Sequence, residues 1–223
     1  MSAPTPIPPI GTSNTRRPGP VRDRALWVRS AVIMIVLIAV LYLVEAIDSA
    51  TNMRLDNDGI VPRETDGLAG IVWSPFLHAG FDHLTSNATV GAVLGFLLLL
   101  ARRFLVTTAI VWIVSGVGVW LVGPAHVSTI GASGIIFGWL AFLLVRGLFN
   151  RSPLQILLGV ALGLVYGSVL WGVLPTQPQI SWQAHLFGAI GGVLAASVLA
   201  GRDRRRSRSA PAAPPAFGGT AAR

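Results

Sequence analysis

A chain of 223 residues with 52% hydrophobic content and a mean hydropathy of +0.66 is too apolar for an ordinary water-soluble domain. Its formal charge of +8 comes from 17 basic residues, all of them arginine, set in short clusters beside apolar runs with no aromatic-rich basic groove; this argues against nucleic acid as a partner and for a role in membrane topology. Cysteine is absent, which excludes disulfides, a thiol nucleophile and a thiolate metal site.

Residues 1–24 are rich in Pro, Ser, Thr, Gly and Arg and have no apolar period, the composition of a disordered tail. The first apolar run extends from Leu26 to Ile47. It is longer than a signal-peptide core and lacks a small-x-small cleavage site, so it is expected to persist as a first membrane span. A polar stretch from Asp48 to Leu68 follows, with Asp48, Asp56, Asp58, Glu64 and Asp66 set against Arg54 and Arg63. Five further apolar segments, near 83–101, 104–123, 132–149, 154–172 and 183–200, are each long enough to cross the hydrocarbon core as helix. Their breaks are marked by Arg102-Arg103, Gly123-Pro124, Asn150-Arg151-Ser152-Pro153, and Pro175 with Pro178. The residues from 201 to 223, rich in Arg, Ser, Ala and Pro, read as a disordered basic tail. The predicted fold is an all-α polytopic membrane protein with a six-span domain over residues 25–200.

Arginine placement gives an independent check on six spans. With both termini cytoplasmic, fifteen arginines fall inside and only Arg54 and Arg63 outside, as the positive-inside rule requires. A bacterial plasma membrane is the expected location. In this topology three polar stretches enter the membrane from its outer side at similar depth. The second span opens with His78 and then His83-Leu84-Thr85-Ser86-Asn87, the fourth with Gly131-Ala132-Ser133-Gly134, and the sixth with Ala184-His185-Leu186-Phe187-Gly188.

Ionisable groups at membrane depth are costly, which makes His185 a functional candidate. A serine hydroxyl is a weak nucleophile until a base takes its proton, and a neutral imidazole can do so near neutral pH. Ser133 and His185 therefore suggest a nucleophile and its base. His83 and Asn87 lie one helical turn apart on one face, where both can donate to a developing oxyanion together with the Ser133 backbone N–H. From Leu84 through Ala200 only Arg102, Arg103, Arg146, Arg151 and the histidines carry ionisable charge near neutral pH, and no Asp or Glu occurs, so the pair would act as a dyad. Gly131 and Gly134 clear space around Ser133, Gly188 and Gly192 form a small-xxx-small face for close helix packing, and Phe137 stands one turn after Ser133, placed to meet an imidazole from a neighbouring helix.

Each element has a plainer reading. Small residues recur wherever membrane helices pack, a membrane histidine also serves proton relay or an interhelical hydrogen bond, His83 and Asn87 can satisfy helix-start donors, and His126 in a short loop is expected to be structural. A zinc protease motif of the His-Glu-x-x-His type is missing, as is a pair of membrane aspartates. No metal or organic cofactor is expected.

Taken together, His-x-x-x-Asn at 83–87, Gly-x-Ser-Gly at 131–134 and Ala-His-x-x-Gly-x-x-x-Gly at 184–192 resemble the rhomboid family of intramembrane serine proteases, in the family's order and over about residues 26–200. The resemblance implies that Ser133 is the nucleophile, His185 the general base, and His83, Asn87 and the Ser133 amide the oxyanion hole. It also implies that His78 is a further cavity histidine and that Phe137 is the aromatic residue against the base. It implies transmembrane protein substrates within the bilayer, cleaved near the outer leaflet, with oligomeric state left open. The first loop departs from the family, because it lacks a Trp-Arg pair. The alternatives are a catalytically inactive client-binding relative and a small transporter, the latter without any visible two-half repeat.

Overall fold

A computed structural model describes residues 24–176 and 180–208, with side chains through residue 200. The elements in chain order are α1 (Arg24–Ala50), α2 (Gly70–Trp73), α3 (Phe81–Leu100), α4 (Phe104–Val122), α5 (Ser133–Asn150), α6 (Pro153–Tyr166) and α7 (Trp182–Arg208), with short 3₁₀ turns between them. Six of these are long and apolar enough to cross a membrane: α1, α3, α4, α5, α6 with its continuation to Val173, and α7. The chain is an all-α integral membrane protein, as its composition implies. Of the tails expected at 1–24 and 201–223, residues 1–23 and 209–223 lie outside the described residues, whereas Arg24 opens α1 and 201–208 continue α7. Arginine is a good helix former, and no proline interrupts those eight positions.

The breaks follow the local chemistry of the sequence. Helix α5 stops where Arg151 turns left-handed with φ 53°, and Pro153 opens α6 at a first-turn position that needs no N–H. The fifth span differs from expectation. Its α-helix ends at Tyr166 and tightens into a 3₁₀ stretch, Gly167–Val173, that Leu174 and Pro175 terminate.

Helix α5 is the centre of the bundle, packed by α3, α4, α6 and α7, while α1 leans chiefly on α3. Its Ile136, Trp139, Leu140, Phe142 and Leu143 join Leu94 and Leu98 of α3, Val111 of α4 and Leu199 of α7 in one buried cluster. The outward faces are apolar too: Leu164 is 83% and Leu105 80% exposed, the inversion expected when lipid rather than water is the solvent. Lipid offers no hydrophobic drive between helices, so close backbone packing matters. A Cβ at Gly188 would overlap the Gly134 carbonyl oxygen, and one at Gly192 would overlap that of Gly138. Glycines therefore let α5 and α7 touch along their backbones. Along the fifth span, Gly159 lies against the Leu144 carbonyl, Gly163 has ordinary contact and Gly167 faces open space.

The first loop, which lacks a Trp-Arg pair, is fastened by hydrogen bonds to α4. Trp112 and Trp120 of α4 donate their indole N–H groups to the carbonyls of Ile71 and Glu64. Arg63 reaches back to the Leu121 and Gly123 carbonyls at 3.2 and 2.8 Å, occupying acceptors that the end of α4 leaves open. The loop then pairs Ile60 with Thr129 through two backbone bonds, and the Gly131 N–H donates to the Ser74 carbonyl at 2.8 Å. Through these contacts the first loop holds the segment that enters α5 at Ser133.

Candidate active site

Ser133 is the first residue of α5 and His185 the fourth of α7. Because Gly134 and Gly188 bring these helices into backbone contact, the residue just before one glycine and the residue one turn before the other are forced together. His185 Nε2 lies 2.9 Å from Ser133 Oγ. On its far side His185 Nδ1 lies 2.8 Å from the Gly172 carbonyl oxygen. A carbonyl only accepts, so this network assigns the ring proton to Nδ1 and leaves Nε2 to accept from the serine hydroxyl. The Phe137 ring stacks on the imidazole at 3.9 Å with 6° between planes. Ser115 of α4 donates to the Ala184 carbonyl at 2.9 Å, pinning the start of α7 from a third helix.

His83 and Asn87 approach from α3. The Ala79 N–H donates to His83 Nδ1 at 3.4 Å, which leaves the His83 Nε2–H as a free donor. Gly131 has φ +112°, a conformation that glycine alone adopts readily, and a Cβ there would sit 3.0 Å from His83 Nε2 and 3.7 Å from Asn87 Nδ2. Both side chains therefore face the bare backbone two residues before Ser133. Asn87 is 8% exposed, and its Nδ2 is buried without a protein acceptor. The Ser133 N–H belongs to the first turn of α5, whose donors have no partner inside the helix.

His78 lies one layer behind, fully buried, with its ring 5.1 Å from that of His83. Its Nε2 accepts the Ala132 N–H at 3.4 Å, a contact that steadies the turn into Ser133. Burial first, and the neighbouring His83 second, lower its pKa from 6.5 to about 4, so it is neutral near pH 7. His126 stands apart at the surface, 3.0 Å from Glu64 Oε1, and takes no part in this grouping.

An open cavity of about 540 Å³ adjoins the site at His83 and is lined also by Ser128, Thr129, Pro175, Ser181 and Gln183 from the segments that enter α5 and α7. Its walls are polar as well as apolar, which suits water at a place where hydrocarbon would otherwise exclude it. Ser133, His185, His83 and Asn87, in the N-terminal halves of α5, α7 and α3, and His78 just before α3 thus gather at one end of the bundle. Arg102, Arg103, Arg146 and Arg151 lie at the other. Two contributors are not visible as motifs, namely the Gly172 carbonyl and the Ser115 hydroxyl. A backbone carbonyl leaves no side-chain signature, and a lone serine in an apolar helix resembles any packing residue.

Comparison with known proteins gives a consistent picture. The family model described as Rhomboid domain matches residues 66–202. A Mycobacterium tuberculosis protein named "Uncharacterized protein Rv1337" is 44% identical over 215 residues, which cover 92% of this chain and 87% of that protein. A Mycobacterium leprae protein, "Uncharacterized protein ML1171", is 46% identical over 192 residues, 82% of this chain and 76% of that one. A Bacillus subtilis protein named "Putative rhomboid protease YdcA" is 32% identical over 136 residues, 58% of this chain and 66% of its own. No solved structure matches the chain.

Proposed function

This chain belongs to the rhomboid family, and we propose that it is an intramembrane serine endopeptidase that hydrolyses peptide bonds of transmembrane proteins with Ser133 as nucleophile and His185 as base. The observation that carries this reading is the 2.9 Å contact between His185 Nε2 and Ser133 Oγ, with His185 Nδ1 2.8 Å from the Gly172 carbonyl oxygen on the far side of the ring. Ser133 Oγ attacks the scissile carbonyl carbon as its proton passes to His185 Nε2. Negative charge then grows on the substrate oxygen, where the His83 Nε2–H, the Asn87 Nδ2–H and the Ser133 N–H act as donors. His185 returns the proton to the leaving amine, and the acyl group on Ser133 is released by water activated by the same imidazole.

The arginine-rich end is the cytoplasmic one in this reading, and the loop-rich end with the catalytic groups opens outward, across what we take to be a bacterial plasma membrane. Water enters through the 540 Å³ cavity. A substrate helix hides its carbonyls in internal hydrogen bonds, so cleavage falls where the segment unwinds, near small residues beside Gly or Pro. The bilayer is both solvent and boundary for these substrates.

The test is purified protein in liposomes with a single-span model substrate, compared with Ser133→Ala and His185→Ala. Cleavage by the parent and loss in both variants supports the reading. Undiminished cleavage in either variant contradicts it, and a parent that retains client helices without cutting them is an inactive binding relative.

A further inference from the structure

The protease reading requires His185 to keep its proton on Nδ1, although neutral imidazole in water favours the other nitrogen. Which nitrogen is protonated is set by the hydrogen bond the opposite one makes. In a triad a carboxylate does this, yet none occurs in residues 133–200. What faces Nδ1 is the Gly172 carbonyl, in the 3₁₀ stretch Gly167–Val173 at the end of the fifth span.

This carbonyl is available because of a proline. In a 3₁₀ helix the Gly172 oxygen would accept from the N–H of residue 175, and in an α-helix from that of residue 176. Residue 175 is proline and has no N–H, while the Thr176 N–H bonds to the Leu174 carbonyl at 2.8 Å. The Leu174 N–H is taken by the Trp171 carbonyl. Both helical claims on the Gly172 oxygen are thereby removed. The absence of a side chain is also required, since a Cβ at residue 172 would stand 2.9 Å from His185 Nδ1 and 2.9 Å from Phe137 Cζ.

We propose that Gly172, its carbonyl released by Pro175, is the positioning residue that sets the tautomer and orientation of His185. This rests on the protease reading and deepens it: the base is competent only while the 3₁₀ end of the fifth span is seated against it. Any movement of that span to admit a substrate must leave this turn in place or restore it before bond cleavage. Span position and base activation are therefore linked by one hydrogen bond.

The test uses the full chain in liposomes. Nitrogen-15 NMR of the histidine-labelled parent, which has only four histidines to assign, should show a pyrrole-type Nδ1 and a pyridine-type Nε2 for His185 at neutral pH. Gly172→Ala should lower kcat at least about tenfold with KM within about twofold, and Pro175→Ala, which restores a competing N–H, should lower kcat and shift the His185 proton toward Nε2. Gly167→Ala, on the same stretch but facing open space, should match the parent. A His185 proton on Nε2 in a parent that cleaves with Ser133 dependence would overturn the positioning role alone. A folded Gly172→Ala with parental kcat would overturn it equally. A parent with the proton on Nδ1 but no Ser133-dependent cleavage would overturn the protease reading and the catalytic part of this proposal with it.

Discussion

The backbone of Gly188 lies against the carbonyl of Gly134 so closely that no side chain fits between them. Ser133 and His185 meet as a consequence of this contact, which makes two small residues as decisive for the site as the proposed nucleophile and base. Gly188→Ala must spread α5 and α7, and overpacking of this kind costs about 1–3 kcal/mol. A lower unfolding temperature in detergent and loss of turnover are expected. Gly163→Ala, where a Cβ makes ordinary contact with Leu144 at 3.5 Å, should change neither, and equal behaviour of the two variants would contradict a packing role for Gly188.

Phe137 covers one face of the imidazole, with ring centroids 3.9 Å apart. Aromatic pairs of this sort contribute about 0.5–1.5 kcal/mol beyond area burial, equivalent to about two- to tenfold in rate if spent on orientation. Phe137→Ala is expected to lower kcat within that range, and Phe137→Tyr to retain most of it. Steady-state kinetics decide, and a kcat unchanged in Phe137→Ala would leave the ring without a part in orienting the base.

Asn87 holds a buried amide donor with no acceptor, an arrangement that costs about 1–3 kcal/mol in a resting protein. Such a donor makes sense if an acceptor arrives with the substrate. Asn87→Ala should therefore reduce kcat by about 10²-fold or less, because other donors remain, while the unfolding temperature stays level or rises. A drop in stability with kcat intact would mark Asn87 as structural.

Much of this site is legible in the amino-acid sequence. The apolar runs mark six spans because a spanning helix must be long and uniformly apolar, and the polar exceptions stand out against that background. Ser133, His185, His83 and Asn87 emerge by this contrast, and the structure draws them to one end of the bundle. Less legible is whatever depends on backbone groups. The switch from α to 3₁₀ at Gly167 reads as continuous helix, since apolar periodicity does not separate the two. The Gly172 carbonyl leaves no residue-type signal, although Pro175 three positions on is a trace of it. The missing Trp-Arg pair marks the first loop as unusual, but its attachment through Arg63, Trp112 and Trp120 joins residues up to 60 positions apart and shows only in the fold.

That loop also carries a pH signature. Asp56 has its carboxyl raised from 3.8 to about 6, by burial first and then by the charges of Asp48 and Glu45. The folded state thus prefers the protonated acid, so this group's contribution is present below about pH 4 and is lost as pH rises through 6. Asp56→Asn, which mimics the protonated form, should unfold at a higher temperature than the parent at pH 7, with the gain vanishing below about pH 4. A lower unfolding temperature at pH 7 would contradict the assignment.

The central claim is that His185 activates the Ser133 hydroxyl. The most direct measurement is reaction of the intact protein in liposomes with a fluorophosphonate, followed by mass spectrometry of the modified peptide. One phosphonyl group is expected on Ser133 in the parent and none in Ser133→Ala, with labelling slowed at least about 10²-fold in His185→Ala. Labelling of the parent at another residue, none at all, or an unchanged rate in His185→Ala would contradict it.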